Sequence, residues 1–343
     1  MKIPSCSLSV WKNLYDAATA FEDIACWEWM SDSDVFGVQN PDNGEIGYCC
    51  VLGQLGEVLG LVVYVGTEGL EQHRKIQSGK IHAGSPEMLY AQNCLTAWFG
   101  ERRELDRPDL QVIKELGLKF RGKNSWPQFR RIQPGYLPWY LTESEAKYLT
   151  LSLKQAREVA LCLEKDPDWL AVPNKNHYVV RLPIQNADEW RWESHAVKPA
   201  PRTKGKIESY PLDEVRLQRI NKTSQVSQYA WETDAFYTPM PVDGEDRPFF
   251  PYTFLCADHE SGFIFGTAMA HPSTWQTEFP SALLDAIENH KLLPRALWVR
   301  KEELLGLFGP LAARLGIKVQ LTRKLPSIDR AKRALLKHLS DQR

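Results

Sequence analysis

Nothing in the 343-residue chain approaches the roughly 20 consecutive apolar residues that a membrane-spanning helix requires; apolar stretches such as Leu59-Gly60-Leu61-Val62-Val63-Tyr64-Val65 are far shorter. The N-terminus also lacks an apolar signal core, so a soluble protein that works in the cytoplasm, away from membranes, is expected. Cysteine is sparse and unpaired in pattern. The seven thiols (Cys6, Cys26, Cys49, Cys50, Cys94, Cys162 and Cys256) are scattered and form no Cys-x-x-Cys, which fits reduced, mostly buried side chains. The eight histidines are equally dispersed, and no structural metal site is expected. No Gly-x-Gly-x-x-Gly, Gly-x4-Gly-Lys-Ser/Thr, Gly-x-Ser-x-Gly or His-Glu-x-x-His occurs, so the common dinucleotide, phosphate-loop, serine-hydrolase and zinc-protease chemistries lack local support. No excess of one charge exists either. With 42 Lys plus Arg against 43 Asp plus Glu, the surface as a whole is not a nucleic-acid footprint.

What is present is enough apolar material for real cores, 43% of residues, in a length that suggests two domains. The fold class expected is α+β, with an N-terminal α+β domain over residues 1–196. Val10, Trp11, Leu14, Tyr15, Ala18, Phe21 and Ala25 recur at helical spacing. Strand-and-turn patterns follow at 34–38, 47–52 and 58–65 and predict a small antiparallel sheet. Helices are expected near Glu68–Gln77 and from Asp106 to Leu116. Thr142-Glu143-Ser144-Glu145 is a capping box opening a long helix. Tyr178–Leu182 and Glu189–Glu193 read as closing strands.

Val197–Lys206 holds two prolines, four cations and no acid, and the whole of 197–212 is assigned as a basic linker. The C-terminal domain, 213–343, is expected to be α/β with the order βββαβαβα. Its strands are placed at 229–237, 251–257, 263–270, 296–300 and 317–321, and its second helix is expected to break at Gly309-Pro310.

Two resemblances follow. The segments Val35-Phe36-Gly37-Val38, Val63-Tyr64-Val65-Gly66-Thr67, Trp126-Pro127-Gln128-Phe129-Arg130, Pro134-Gly135-Tyr136 and Arg247-Pro248-Phe249-Phe250-Pro251 resemble an uncharacterised bacterial family of two-domain proteins, known only as domains of unknown function. That resemblance implies a layout and no activity. The order of elements over 230–340 resembles the ribonuclease H-like fold of integrases and related nucleases, with Trp231-Glu232-Thr233-Asp234 at the first-strand aspartate and Asp258-His259-Glu260-Ser261-Gly262 at the second hairpin turn. Active members hold two divalent metals between carboxylates from the first strand, the fourth strand and a following helix. Here the fourth strand ends in Val299-Arg300-Lys301, a cation where an acid is expected. The leading expectation is therefore a non-catalytic binding or regulatory protein that needs no cofactor and recognises a protein partner or nucleic acid. The alternative is a nuclease or phosphodiesterase using Asp234 and Asp329 with Glu302 (or Glu303) and Mg²⁺ or Mn²⁺. A purely protein-interacting module is a further alternative.

Three segments invite a site reading. Asp258-His259-Glu260 is compatible with acid–base chemistry but reads better as a solvated hairpin turn. Lys119–Tyr140 interleaves five cations, among them Arg130 and Arg131, with six aromatics, among them Trp126, and contains no acid. Such a mixture suits single-stranded nucleic acid, although aromatics filling a core below a loop explain it more simply. Lys301–Arg343 holds ten Lys or Arg against four acids, and Lys332-Arg333 is either a phosphate-binding flank or a solvated helix face.

Overall fold

A computed structural model describes residues 6–341 apart from 55, 57, 83–84, 187–188 and 203–209. The chain divides into two compact units, 1–202 and 203–343. Residues 203–209 of the expected linker lie outside the described residues, and 198–202 carry no regular structure.

The first unit runs α1 (Leu8–Glu22), β1 (Phe36–Gln39), β2 (Ile46–Leu52), β3 (Leu59–Val65), α2 (Gly66–Gln77), α3 (Pro86–Ala91), β4 (Cys94–Gly100), α4 (Arg107–Glu115), β5 (Trp126–Ile132), α5 (Glu143–Lys165), β6 (Tyr178–Asn186) and β7 (Glu189–Val197). Its sheet has seven strands in the order β5-β4-β3-β2-β1-β6-β7, larger than the small sheet expected. Every pairing is antiparallel except β1 with β6, whose parallel contact is reached through the long crossover containing α5. Periodicity cannot reveal a pairing made across more than 140 residues, which is why the sheet was underestimated from sequence. The amphipathic faces of α1 and α5 bury Leu14, Phe21, Leu149, Leu153 and Val159 against Phe36, Val51, Leu61 and Phe99, while α2 covers the other face through Leu70 beside Tyr48 and Tyr64. The Thr142–Glu145 capping box forms as expected. Tyr148 of α5 fixes the helix to the sheet: its hydroxyl donates to Val38 O and accepts from Gly47 N, each at 2.7 Å. A Cβ at position 47 would collide with that hydroxyl, so glycine is required there.

The second unit runs α6 (Glu214–Thr223), β8 (Gln225–Val226), β9 (Trp231–Tyr237), β10 (Tyr252–Asp258), β11 (Ile264–Ala270), α7 (Trp275–His290), β12 (Leu292–Leu293), β13 (Ala296–Val299), α8 (Glu302–Arg314), β14 (Lys318–Leu321) and α9 (Pro326–Asp341). The expected βββαβαβα order is present in the five-stranded sheet and α7–α9, preceded by α6, while the two-residue strands β8 and β12 pair separately. The sheet order is β11-β10-β9-β13-β14, with β10 antiparallel to both neighbours and β9, β13 and β14 mutually parallel. This is a ribonuclease H-like α/β sheet with its first strand at the centre. Contrary to expectation, α8 continues through Gly309-Pro310. Proline removes one backbone donor, but burial of Leu304, Leu307, Phe308, Leu311 and Ala312 holds the helix across it. No described helix is long and apolar enough to cross a membrane.

Candidate functional site

Side chains alternate across a strand, so β9 sends Trp231 and Ala235 into the core shared with Phe254 and Leu297, and sends Glu232, Asp234 and Phe236 to the opposite face, where α9 lies. Burying two carboxylates on one face of a central strand demands partners. Asp234, 4% exposed, accepts from Ala235 N at 2.9 Å and lies 3.7 Å from Arg300 Nη1. Arg300 follows the C-terminal end of β13, and its Nη2 donates to Asp329 Oδ1 of α9 at 2.7 Å. Asp234, Arg300 and Asp329, drawn from three elements, thus meet around one guanidinium.

The surroundings add charges of both signs. Lys301 Nζ donates to Tyr252 Oη at 3.0 Å and sits 3.8 Å from Glu303, whose carboxylate also accepts from the Tyr252 hydroxyl at 2.8 Å. Lys332 Nζ stacks 4.8 Å over the Phe236 ring. Burial pushes Asp234 above the ordinary aspartate range, while Lys301, Arg300 and Lys332 pull it back. Burial likewise lowers Lys301 and raises Tyr252. Glu302, by contrast, is exposed in the first turn of α8, and it is Glu303 that faces the cluster.

The guanidinium of Arg300 opposes a divalent metal at this donor set. Two carboxylates already share Arg300, and a dication about 4 Å from a guanidinium is opposed by on the order of 8 kcal/mol at an effective dielectric of about 20. By the same reckoning each ionised carboxylate at that distance attracts the dication about equally, so the guanidinium cancels about half of what Asp234 and Asp329 would supply. Among the described residues no group of three or more His, Cys, Asp or Glu side chains is placed to hold a metal ion.

Sequence reasoning missed the neighbouring carboxylate. Glu232 is fully buried; one oxygen lies 2.6 Å from His259 Nδ1, and the other accepts from Ser327 N at 2.9 Å and Ile328 N at 3.0 Å. It therefore caps the positive end of α9 from the sheet face on which that helix lies. The 258–262 segment is the expected turn, with Asp258 accepting from Ser261 and Gly262 at φ +72°. His259 is nevertheless drawn out of it onto Glu232 and against Trp298.

The basic–aromatic stretch is occupied by internal contacts. It is not a loop but contains β5, the edge strand of the first sheet. Arg130 is 7% exposed and grips Asp109 with two nitrogens (3.0 and 2.7 Å) and Asp106 with one (2.8 Å). Arg131 reaches Asn93, Cys94 O and Glu145. Trp126 packs edge-to-face on Phe120 and against the first core. Arg130 is buried and Arg131 and Trp126 are half-buried, each already engaged by partners within its own unit. Lys332 and Arg333 part company: the first lies over Phe236, the second is exposed on α9 beside exposed Arg330 and Lys337.

Comparison with known proteins gives a layout of the same kind. Two domains of unknown function match in tandem. Residues 11–181 match the domain of unknown function DUF7309, and residues 216–336 match DUF6930. No curated protein matches the chain. Among solved structures, the HTLV-2 integrase catalytic core domain in complex with magnesium (trimeric form) is similar at 18% identity over 34% of this chain and 76% of that one, with a TM-score of 0.24. The ribonuclease H-like assignment of the DUF6930 unit rests on its strand order and not on that likeness.

Proposed function

We propose that the protein is a non-catalytic binding or regulatory protein of the bacterial cytoplasm, in which the DUF6930 unit keeps a ribonuclease H-like frame and uses an ion cluster in place of metals. The observation that carries this reading is Arg300, whose guanidinium lies 2.7 Å from Asp329 and 3.7 Å from Asp234. It neutralises from within the carboxylates that would otherwise need cations from solution. The seven cysteines, all free, are consistent with a reducing compartment.

The outer face of α9 is the surface this reading offers to a partner. Arg330, Arg333 and Lys337 fall on one stripe at spacings of three and four, and Arg323 and Lys324 precede it. All five are exposed and none forms an ion pair among the described residues. A phosphate backbone is the partner whose chemistry fits such a stripe. The test is incubation of single- and double-stranded DNA and RNA with Mg²⁺ or Mn²⁺, beside an Asp234→Ala variant. Binding that weakens with salt and leaves the strands intact is expected. Metal-dependent cleavage that disappears in Asp234→Ala would overturn the proposal in favour of a nuclease built on Asp234 and Asp329.

A further inference from the structure

The first unit contains a separate cavity of about 640 Å³, within the size range of small-molecule sites. It is lined by residues of α1, α5, β6 and β7. Arg181 of β6 stands directly opposite Ser194 of β7, and Trp192 is two residues before Ser194, so all three share the face turned toward the helices. The α1 and α5 side of the lining includes Ala17, Gln155 and the charged residues Asp16, Lys154, Arg157 and Glu158.

The charges of this cavity do not balance in the way a purely structural arginine requires. Arg181 Nε donates to Gln155 Oε1 at 2.9 Å and Nη1 donates to Ser194 Oγ at 2.8 Å, both neutral acceptors. No acid lies within ion-pair distance of it among the described residues, and Nη2 makes no hydrogen bond there. Burial lowers its pKa, countered in part by Cys162 and by Glu158 acting from beyond contact. The acids at the rim have other cations: Asp16 holds Lys12 at 2.8 Å, and Glu158 lies 3.5 Å from Arg157. Arg181 and the exposed Lys154 have no acidic partner within ion-pair distance among the described residues. Gln155, 6% exposed, and Ser194 meanwhile hold the guanidinium in one orientation before anything binds.

We infer that this cavity binds a small organic anion, its carboxylate or phosphate on Arg181 with support from Lys154 and its flat body against the Trp192 indole. A prepositioned guanidinium supplies planar recognition of an oxyanion, and the ring supplies a stacking wall. The inference is independent of the reading of the DUF6930 unit.

The test is calorimetric titration of the full chain with phenyl phosphate, benzoate and inorganic phosphate, which separates the two oxyanions and isolates the contribution of the ring. Saturable binding of an aromatic anion is expected, with Arg181→Gln weakening it by about tenfold or more. Lys154→Met, an exposed change expected to leave stability nearly unchanged, should weaken it about threefold. Trp192→Ala should reduce affinity for the aromatic probes and leave inorganic phosphate unaffected. Two results would overturn the inference: no saturable binding of any probe up to about 10 mM, or aromatic-anion affinity unchanged in both Arg181→Gln and Lys154→Met.

Discussion

Arg300→Met is the perturbation that most exposes the logic of the cluster. Methionine keeps much of the side-chain volume and removes the charge, leaving Asp234 buried with Lys301 and Lys332 as its nearest cations and Asp329 without its 2.7 Å partner. Removing one member of a fully buried pair costs about 3–5 kcal/mol. Arg300 is 32% exposed and Asp329 41%, so screening discounts their pair to about 1 kcal/mol or less, and most of the loss belongs to Asp234. A destabilisation of about 2 kcal/mol is expected, read as a shift in urea midpoint at constant slope.

The loss must also depend on pH with a defined sign. The folded-state pKa of Asp234 lies above its unfolded value, so between those two values the native state holds the extra proton and stability falls as pH rises. Arg300 lowers that pKa, and its removal raises it further. The deficit of Arg300→Met should therefore be largest at pH values above the raised pKa, where Asp234 is ionised, and shrink on acidification as Asp234 takes up its proton. Asp234→Asn in the same background should abolish the pH dependence. A deficit that is independent of pH, or one that grows as pH falls, would refute the reasoning.

Further outcomes follow from the same structure. Glu232→Ala removes the acceptor for Ser327 N, Ile328 N and His259, and should destabilise the DUF6930 unit by about 3 kcal/mol in urea unfolding, with α9 amides exchanging faster. Arg130→Met strands the 10%-exposed Asp109 and should cost the DUF7309 unit about 3–5 kcal/mol, with single-strand binding unchanged at the same temperature. Arg333→Glu with Arg330→Glu should lower nucleic-acid affinity equally for all sequences and flatten its salt dependence, by a slope of about 0.7 per lost phosphate contact on single strands. Lys332→Met should instead act mainly on stability, because its ammonium rests on Phe236.

Legibility from sequence followed the range of the interactions. The βββαβαβα order could be read because each strand is a short apolar run between turns, and the Thr142 capping box because all of its partners lie within four residues. The meeting of Asp234, Arg300 and Asp329 was accessible through the order of elements alone. β5 escaped because Arg130 and Arg131 interrupt its apolar pattern, and the acid that explains Arg130 lies 21 residues away in α4. Glu232 gave no signal at all: its partners are 27 and 95 residues distant and depend on α9 crossing the sheet at that point. The Arg181 cavity was equally silent, since Gln155 and Ser194 join it only after β6 pairs with β7 and α5 packs on the sheet.

The central claim, that Arg300 stands where a metal would, is tested most directly by titrating Mn²⁺ into isotope-labelled protein and mapping paramagnetic broadening. Broadening confined to scattered surface carboxylates, with amides around 234, 300 and 329 unaffected at millimolar Mn²⁺, is the predicted result. Saturable broadening centred on those residues and lost in Asp234→Asn would contradict it.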